Sequence, residues 1–285
     1  MDQRIINLYD EYTHKPLTRD VFLKRLAVLT GSMAMALSIA PLLESNKAKA
    51  ATIREDDDEL ETESIAYDVN GNTMYAYTAK PAKRNNLGAV IVIHENRGLN
   101  EHIKDVTRRA AKAGYLAMAP DALSGSGGTP ANEDEARKLI GELDAKTNLT
   151  NFIKSVDYLR QRKDCNRKVG CVGFCWGGGL ANQLAVNVPN LNAAVAFYGA
   201  QPKAEDVPKI KAPLLLHYAG LDERINAGIP AYETALKAAG VKYELIVYPG
   251  VNHAFHNDTS EARYNADAAL RAWKSTLDFF EKYLK

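Results

Sequence analysis

The segment VGCVGFCWGGG, residues 169–179, decides the fold, because it joins an apolar run to a run of glycines around a cysteine. Residues 169–174 have the continuous apolar character of a buried strand, and a helical pattern begins at Gly177. Cys175 therefore occupies the centre of a G-x-nucleophile-x-G turn, in which the glycines let a strand turn sharply into a helix. The dipole of that helix favours a thiolate at its N-terminus. Taken alone, the five residues 173–177 fit two structures equally well: a nucleophile elbow, or a glycine-rich turn that carries a buried cysteine.

The rest of the chain alternates short apolar runs with segments of helical periodicity. Two alternating segments flank Asn70-Gly71, which predicts a β-hairpin over 64–78. Further strands are predicted at 89–93, 115–119, 169–174, 193–197, 214–218 and 243–248. Helices are predicted at 101–113, 149–162, 177–187, 227–239 and 261–284. This alternation predicts an α/β protein with a mostly parallel sheet, helices on both faces, and ligands at the carboxyl ends of the strands.

Two further residues stand where an acid and a base would complete a catalytic triad. Asp222 follows the strand predicted at 214–218, and His253 follows the strand predicted at 243–248. A nucleophile, an acid and a histidine in this chain order, each after a strand, are the arrangement of α/β-hydrolases. Asp222 would orient His253, and His253 would pair with the thiolate of Cys175 and later protonate the leaving group.

The pair His253-x-x-His256, with Asp258 nearby, also matches a metal-binding spacing. Both histidines lie in a predicted loop rather than on one face of a helix, and the sequence offers no evident third ligand. We therefore predict that the protein uses neither a metal ion nor another cofactor.

The loop after the strand at 89–93 predicts the remaining parts of the site. In hydrolases of this shape, that loop supplies one N–H of the oxyanion hole, and the residue after the nucleophile supplies the other. These donors are the main-chain N–H groups of Asn96 and Trp176. Glu95 would accept the proton of the thiol or hydrogen-bond to it. The alternative is a surface ion pair between Glu95 and Arg97, which would contribute little free energy.

Five motifs, in order along the chain, resemble the dienelactone hydrolase (carboxymethylenebutenolidase) family over about residues 64–284. They are His94-Glu95-Asn96-Arg97-Gly98-Leu99-Asn100, Ala119-Pro120-Asp121, Gly173-Phe174-Cys175-Trp176-Gly177-Gly178, Gly220-Leu221-Asp222 and His253-Ala254-Phe255. The resemblance implies an α/β-hydrolase fold with an eight-stranded sheet. It also implies that Cys175 is the nucleophile of a triad with Asp222 and His253, and that Glu95 hydrogen-bonds the thiol until substrate displaces it. The implied reaction is hydrolysis of small esters or lactones through an acyl-thioester, without a cofactor.

The chain departs from the family pattern at the positions where an arginine clamps a substrate carboxylate. Asn257 and the loop 124–128, which carry no charge, stand there instead. A bidentate arginine would orient an anionic substrate through charge-assisted hydrogen bonds. Neutral small esters or lactones are therefore the expected substrates, unless Arg97 or Arg224 turns into the pocket.

Composition excludes several other classes of protein. The 285 residues carry 36 Lys plus Arg against 35 Asp plus Glu, and this net charge of +1 argues against binding to nucleic acid. The three cysteines form no CxxC pair, which argues against a dithiol or a cysteine-rich zinc site. Residues 63–285 are predicted to form one domain of undetermined oligomeric state. Two alternatives to the hydrolase remain: a catalytically idle binding protein of the same fold, and a thiol redox protein that uses Cys175.

Residues 1–50 differ in character from the rest of the chain. No charged residue occurs from Leu26 to Leu43, basic residues precede this run, and Ala48–Ala51 resembles a signal-peptidase site. This order predicts an export signal and a periplasmic protein. The alternatives are a retained helical arm on a cytoplasmic protein or a marginal membrane anchor, which would be the sole membrane contact. The acidic residues 51–62 are predicted to be a solvated linker.

Overall fold

The structure is a computed structural model and describes residues 1–15, 17–44 and 52–285. Its strands are β1 (Leu60–Val69), β2 (Asn72–Pro81), β3 (Leu87–Ile93), β4 (Leu116–Pro120), β5 (Cys165–Phe174), β6 (Ala193–Phe197), β7 (Leu214–Ala219) and β8 (Tyr243–Tyr248). Its α-helices are α1 (Gln3–His14), α2 (Arg19–Thr30), α3 (Met33–Glu44), α4 (Glu101–Lys112), α5 (Glu133–Glu142), α6 (Ala145–Gln161), α7 (Trp176–Asn187), α8 (Glu223–Asn226), α9 (Ile229–Ala239) and α10 (Ala266–Leu284).

The eight strands form one sheet in the order β1-β2-β4-β3-β5-β6-β7-β8. β2 runs antiparallel to both of its neighbours, and all other neighbouring strands are parallel. Every residue of β3 is buried, as expected of a parallel strand that is covered by helices on both faces. This sheet confirms the predicted α/β fold and the eight strands implied by the family resemblance.

The hairpin at the edge of the sheet also forms as predicted. Val69 pairs with Asn72, and the two residues between them have φ angles of +53° at Asn70 and +81° at Gly71. Positive φ at both central positions matches the twist of the flanking strands, which explains the Asn-Gly signal. β1 begins at Leu60, so the last residues of the predicted linker belong to the sheet.

Two apolar cores lie on the two faces of the sheet. One contains buried side chains of α6, α7 and α9, such as Leu159, Leu184 and Leu236. The other contains side chains of α4 and α10, such as Val106 and Phe280. The cores hold β5 and β6 rigidly between them, and the carboxyl ends of these strands therefore offer a fixed platform for a site.

The N-terminal helices α1, α2 and α3 build a third apolar core. Its fully buried members include Tyr12 and Phe22, whose rings stack with centroids 4.5 Å apart, and Leu26. Among the described residues no single helix is long and apolar enough to cross a membrane; α2 and α3 reach that length and composition only as a pair bent by 114°. The predicted cleavage site at Ala48–Ala51 lies outside the described residues.

Candidate active site

Cys175 is the residue at which β5 turns into α7, and its backbone is strained. Its φ of +56° lies in the left-handed region that a side chain disfavours. Glycines make the turn possible, because a Cβ on Gly173 would overlap the carbonyl oxygen of Gly177, and one on Gly177 would overlap the carbonyl of His94. The N–H of Cys175 donates to Phe197 at 3.0 Å, which ties the turn to β6. The sequence prediction of a strand–turn–helix elbow is confirmed, and strain of this kind is typical of functional sites.

His253 and Asp222 meet beside this turn, as the strand order predicted. The ring nitrogen Nδ1 of His253 lies 2.5 Å from Oδ2 of Asp222, and both side chains are buried. The other carboxylate oxygen, Oδ1, accepts the N–H of Ile225 at 3.2 Å and so caps α8. Since Asp222 occupies Nδ1, the opposite nitrogen Nε2 is available for chemistry, and no hydrogen-bond partner for it occurs in the described parts of the chain.

The thiol of Cys175 is hydrogen-bonded to a residue that the sequence did not single out. Nε2 of His14, at the end of α1, lies 3.0 Å from Sγ. Nδ1 of His14 lies 2.8 Å from the main-chain oxygen of Asp10 and 3.2 Å from its carboxylate. The ring of His14 also packs edge-on against His253, with centroids 4.7 Å apart. Donor atoms of the three side chains His14, Cys175 and His253 thus lie within 4.8 Å of one another.

The charges around His14 favour its protonated form. Burial lowers the pKa of His14, but the negative charge of a Cys175 thiolate and the hydrogen bonds to Asp10 and Cys175 outweigh burial, so the pKa is raised overall. Burial alone would raise the pKa of Asp10, yet His253, His14 and Arg224 together hold it well below its usual range. Asp10 is therefore an ionised carboxylate inside the site.

Glu95 is buried, but no hydrogen bond joins it to the thiol. Its Oε2 accepts the side-chain N–H of Asn257 at 2.5 Å, and its Oε1 has no hydrogen-bond partner among the described residues. The expected hydrogen bond between Glu95 and Cys175 is therefore not formed, because Asn257 holds the carboxylate and His14 occupies the thiol. The alternative ion pair is not formed either, since Arg97 pairs with Glu133 at 3.3 Å.

Asn96, Trp176 and Cys175 line the same cavity. Trp176 is the first residue of α7, so its N–H has no acceptor inside the helix. The side chain of Asn96 donates to the main-chain oxygen of Thr13 at 2.8 Å, which fixes the loop after β3 against α1. His94 links the two positions, because its ring stacks on Trp176 at 5.2 Å while Nδ1 binds the carbonyl of Glu95 at 2.6 Å.

A cavity of about 1360 Å³ opens at the carboxyl ends of the strands and reaches Cys175. One wall comes from α1 and the residues after it, including Thr13 and Leu17. The opposite wall comes from α5 and α6. Arg137 and Arg224 lie at the rim, where Arg137 pairs with Asp134 at 3.1 Å and Arg224 faces Asp10 at 3.5 Å.

The histidine pair suspected of metal binding is separated in the structure. His256 stacks on Phe174 with centroids 4.9 Å apart and belongs to the core, whereas His253 faces Asp222. Burial lowers the pKa of His256 well below its usual range. The structure does supply a third donor near His253, namely His14, but an ion bound there would have to displace the hydrogen bond between His14 and Cys175.

A cysteine elbow after β5, an acid after β7 and a histidine after β8 define an α/β-hydrolase. The sequence profile of the dienelactone hydrolase family matches residues 74–284, and the chain belongs to that family of carboxylic ester hydrolases. A Saccharolobus solfataricus protein with the provisional name carboxymethylenebutenolidase is 36% identical over 259 residues, covering 78% of this chain and 98% of its own.

Two further comparisons bear on the body and on the N-terminal segment. A crystal structure from Klebsiella pneumoniae, provisionally titled a dienelactone hydrolase, has 29% identity and a TM-score of 0.71, covering 79% of this chain and 99% of its own. A Methylorubrum extorquens relative, also provisionally named carboxymethylenebutenolidase, is 31% identical over 287 residues and covers 94% of this chain and 96% of its own. The uncovered 6% of 285 residues is about 17 residues, so that alignment includes most of residues 1–50.

Proposed function

We propose that the chain hydrolyses small carboxylic esters or lactones, with Cys175 as nucleophile and an acyl-thioester as intermediate. The observation that carries this proposal is the strained cysteine at the elbow, next to a buried pair of His253 and Asp222 joined at 2.5 Å. A reactive side chain held up to a cavity beside an oriented imidazole is the general arrangement of nucleophilic catalysis.

In the proposed first step, the thiolate of Cys175 attacks the acyl carbon, and the carbonyl oxygen becomes an oxyanion. The N–H groups of Asn96 and Trp176 would stabilise that charge. The C–O bond then breaks, and the leaving alkoxide takes a proton from an imidazole. In the second step, Nε2 of His253 accepts a proton from water, which attacks the thioester and releases the acid and the thiolate. Asp222 would hold His253 in the tautomer that this step requires.

The volume of the cavity and the charged residues in its lining favour one class of substrate. Its volume of about 1360 Å³ exceeds the ~300–1,000 Å³ typical of small-ligand pockets, so acyl groups longer than a lactone ring also fit. Arg97 is not part of its lining. Arg224 and Arg137 are, but each already faces a carboxylate, Arg224 that of Asp10 at 3.5 Å and Arg137 that of Asp134 at 3.1 Å. We therefore propose neutral substrates, hydrolysed at least as fast as equivalents that carry a free carboxylate.

Mass spectrometry of the full chain after brief exposure to an activated ester tests the proposal. We expect one acyl group on the peptide that contains Cys175 and none on the Cys175→Ala variant. Cys171→Ala is the matched control, because Cys171 is buried in β5 and burial raises its pKa to about 12, which leaves its thiol inert. An unmodified Cys175 peptide during active turnover would contradict the thioester mechanism.

A further inference from the structure

We infer that Asp10 and His14 of α1 form a second acid–base pair for Cys175, in which His14 is a catalytic residue and Asp10 positions it. This inference rests on the proposed role of Cys175 as nucleophile. It assigns the N-terminal segment a part in the chemistry, although the sequence predicts an export signal there. It also assigns to His14 the role of proton acceptor and hydrogen-bond partner of the thiol that the sequence analysis expected of Glu95.

The hydrogen bonds distinguish the two imidazoles at the thiol. Nε2 of His14 lies 3.0 Å from Sγ, whereas Nε2 of His253 has no hydrogen-bond partner within the described chain. Since Nδ1 of His14 faces the carbonyl oxygen of Asp10, this nitrogen carries the proton and Nε2 accepts from the thiol. His14 is thus placed to take the thiol proton, and His253 is left free for the leaving group or for water.

Asp10 and His14 are held from two sides. They stand four residues apart on α1 and so share one face of that helix. From the body of the protein, Arg224 approaches Asp10 at 3.5 Å and Arg263 at 4.0 Å. The charged and titratable groups of the described body that face the pair include these two arginines, Cys175 and His253. Arg224 and His253 favour an ionised Asp10, whereas Cys175 and Asp10 favour a protonated His14 against the opposing effects of burial and His253.

Further hydrogen bonds fix α1 against the loop after β3, beside the elbow. Asn96 donates to the carbonyl of Thr13 at 2.8 Å, and Arg97 donates to the hydroxyl of Tyr9 at 2.7 Å. Asn96 also belongs to the proposed oxyanion hole. The thiol, its proton acceptor and the oxyanion donors are consequently connected through α1.

His14 and His253 transfer protons in different steps of the proposed reaction. In the resting enzyme the proton of the thiol has moved from Sγ to Nε2 of His14, and on substrate binding the thiolate forms the C–S bond. When the C–O bond breaks, the alkoxide takes this proton and leaves as the alcohol. Water then gives a proton to His253 as it attacks the thioester, the C–S bond breaks, and the proton passes from His253 by way of the thiolate to Nε2 of His14, which restores the resting pair. The net reaction is ester plus water to acid plus alcohol, with both imidazoles restored.

Single-turnover kinetics of His14→Asn and Asp10→Asn in the full chain test the inference. We expect acylation by an activated ester to slow by about 10- to 100-fold, less than complete loss of an acid–base group would cause, because His253 can partly replace His14. Deacylation should change by less than about threefold, because water is activated by His253. Asn7→Ala, on the exposed face of α1, is the matched control and should leave both steps unchanged.

Ultraviolet absorbance of the thiolate, measured as the difference from the Cys175→Ser variant, supplies a second readout. A packing defect alone would not change this absorbance. At neutral pH we expect the parent and Asn7→Ala to absorb, and His14→Asn and Asp10→Asn to absorb only at higher pH. Asp10→Asn is nearly isosteric and keeps His14 in place, so this variant remains informative if His14→Asn loosens α1.

Three results would overturn the inference. One is unchanged acylation in His14→Asn, and another is faster acylation, which would mean that α1 merely covers the thiol. The third is a change in the parent's rate on adding a chelator, which would mean that an ion rather than His14 engages the thiol. Failure of the proposed function is distinguishable from all three, because it would show as the absence of an acyl group on Cys175 in the parent.

Discussion

Asp222→Asn changes one hydrogen-bond acceptor into a donor and leaves most of the structure in place. Oδ1 of Asp222 caps α8 by accepting the N–H of Ile225 at 3.2 Å, and Oδ2 accepts Nδ1–H of His253 at 2.5 Å. An asparagine can keep its oxygen at the cap, which turns its NH₂ group toward His253. Nδ1 must then become the acceptor, so the proton moves to Nε2, and that nitrogen can no longer accept a proton from water.

The expected loss has two parts. A buried hydrogen bond to a charged group contributes about 1.5–3 kcal/mol, and the catalytic tautomer of His253 becomes a minor species as well. Together we expect kcat to fall by about 10²- to 10⁴-fold, which corresponds to about 3–5 kcal/mol at 1.36 kcal/mol per tenfold. The free energy of unfolding should fall by no more than about 1–2 kcal/mol, because the cap on α8 is kept and a neutral hydrogen bond, worth ~0.5–1.5 kcal/mol, replaces the charge-assisted one.

Burst kinetics and thermal unfolding measured on the same samples check this prediction. Deacylation should limit turnover in Asp222→Asn, so the acyl-enzyme should accumulate. Asp222→Ala is the comparison, since this variant loses the cap too and should unfold about 1 kcal/mol more easily than the asparagine variant. A fall in kcat of less than about tenfold, or equal destabilisation of the two variants, would refute the assignment of Asp222 as the orienting acid.

Four further predictions follow from the same contacts. Cys175→Ala should abolish ester hydrolysis and Cys175→Ser should leave a small residue of it, because a hydroxyl needs a stronger base than a thiol; equal rates for the serine variant and the parent would contradict this. Glu95→Gln should slow acylation less than His14→Asn does, since Asn257 rather than the thiol contacts Glu95; a larger effect in stopped-flow assays would restore Glu95 as the proton acceptor. Phe22→Ala should cost about 3–5 kcal/mol in the N-terminal core and expose α1 to protease while the body stays resistant. N-terminal sequencing of the chain from fractionated cells should find residues 1–44 on the active species; activity confined to a form that starts near Ala51 would show that α1 is dispensable.

Most strands were predictable because burial on both faces requires continuous apolar runs. β6 has the predicted bounds because it is a short apolar run that is buried throughout. β8 also has them, although only Tyr248 is buried in this edge strand, because aromatic and β-branched residues favour a strand there. β5 begins at Cys165 rather than at 169, because its polar first residues pair at the margin of the sheet, where Leu87 lies opposite Cys165. Helix α5 was not predicted. Few of its side chains are buried, among them Ala136 and Ile140, so its sequence shows no clear helical spacing of apolar residues.

The candidate site was predictable where strand order alone brings residues together. Asp222 and His253 each follow a strand, and parallel neighbours end at the same edge of a sheet, so the two side chains meet. The hydrogen-bond partner of Glu95 could not be predicted, because strand order does not specify the geometry of the loops. In the structure the side chain of Asn257 donates to the carboxylate of Glu95. His14 lies 161 residues from Cys175, and its spacing from Asp10 indicates a shared helix face without indicating the surface on which that face docks.

The N-terminal segment satisfies two patterns at once, so its sequence alone does not decide between an export signal and a retained helical arm. An export signal requires only continuous hydrophobicity, whereas a packed helical hairpin requires that some apolar residues be buried and that the run be broken where the chain turns. Gly31, with a φ of +85°, ends α2 at that break. Leu26 and Ala40 are buried in the hairpin, as a packed arm requires, while Val28 and Leu37 are exposed, as the uniform hydrophobicity of a signal would allow. Retention or removal of these helices therefore decides whether the thiol of Cys175 faces two imidazoles or one.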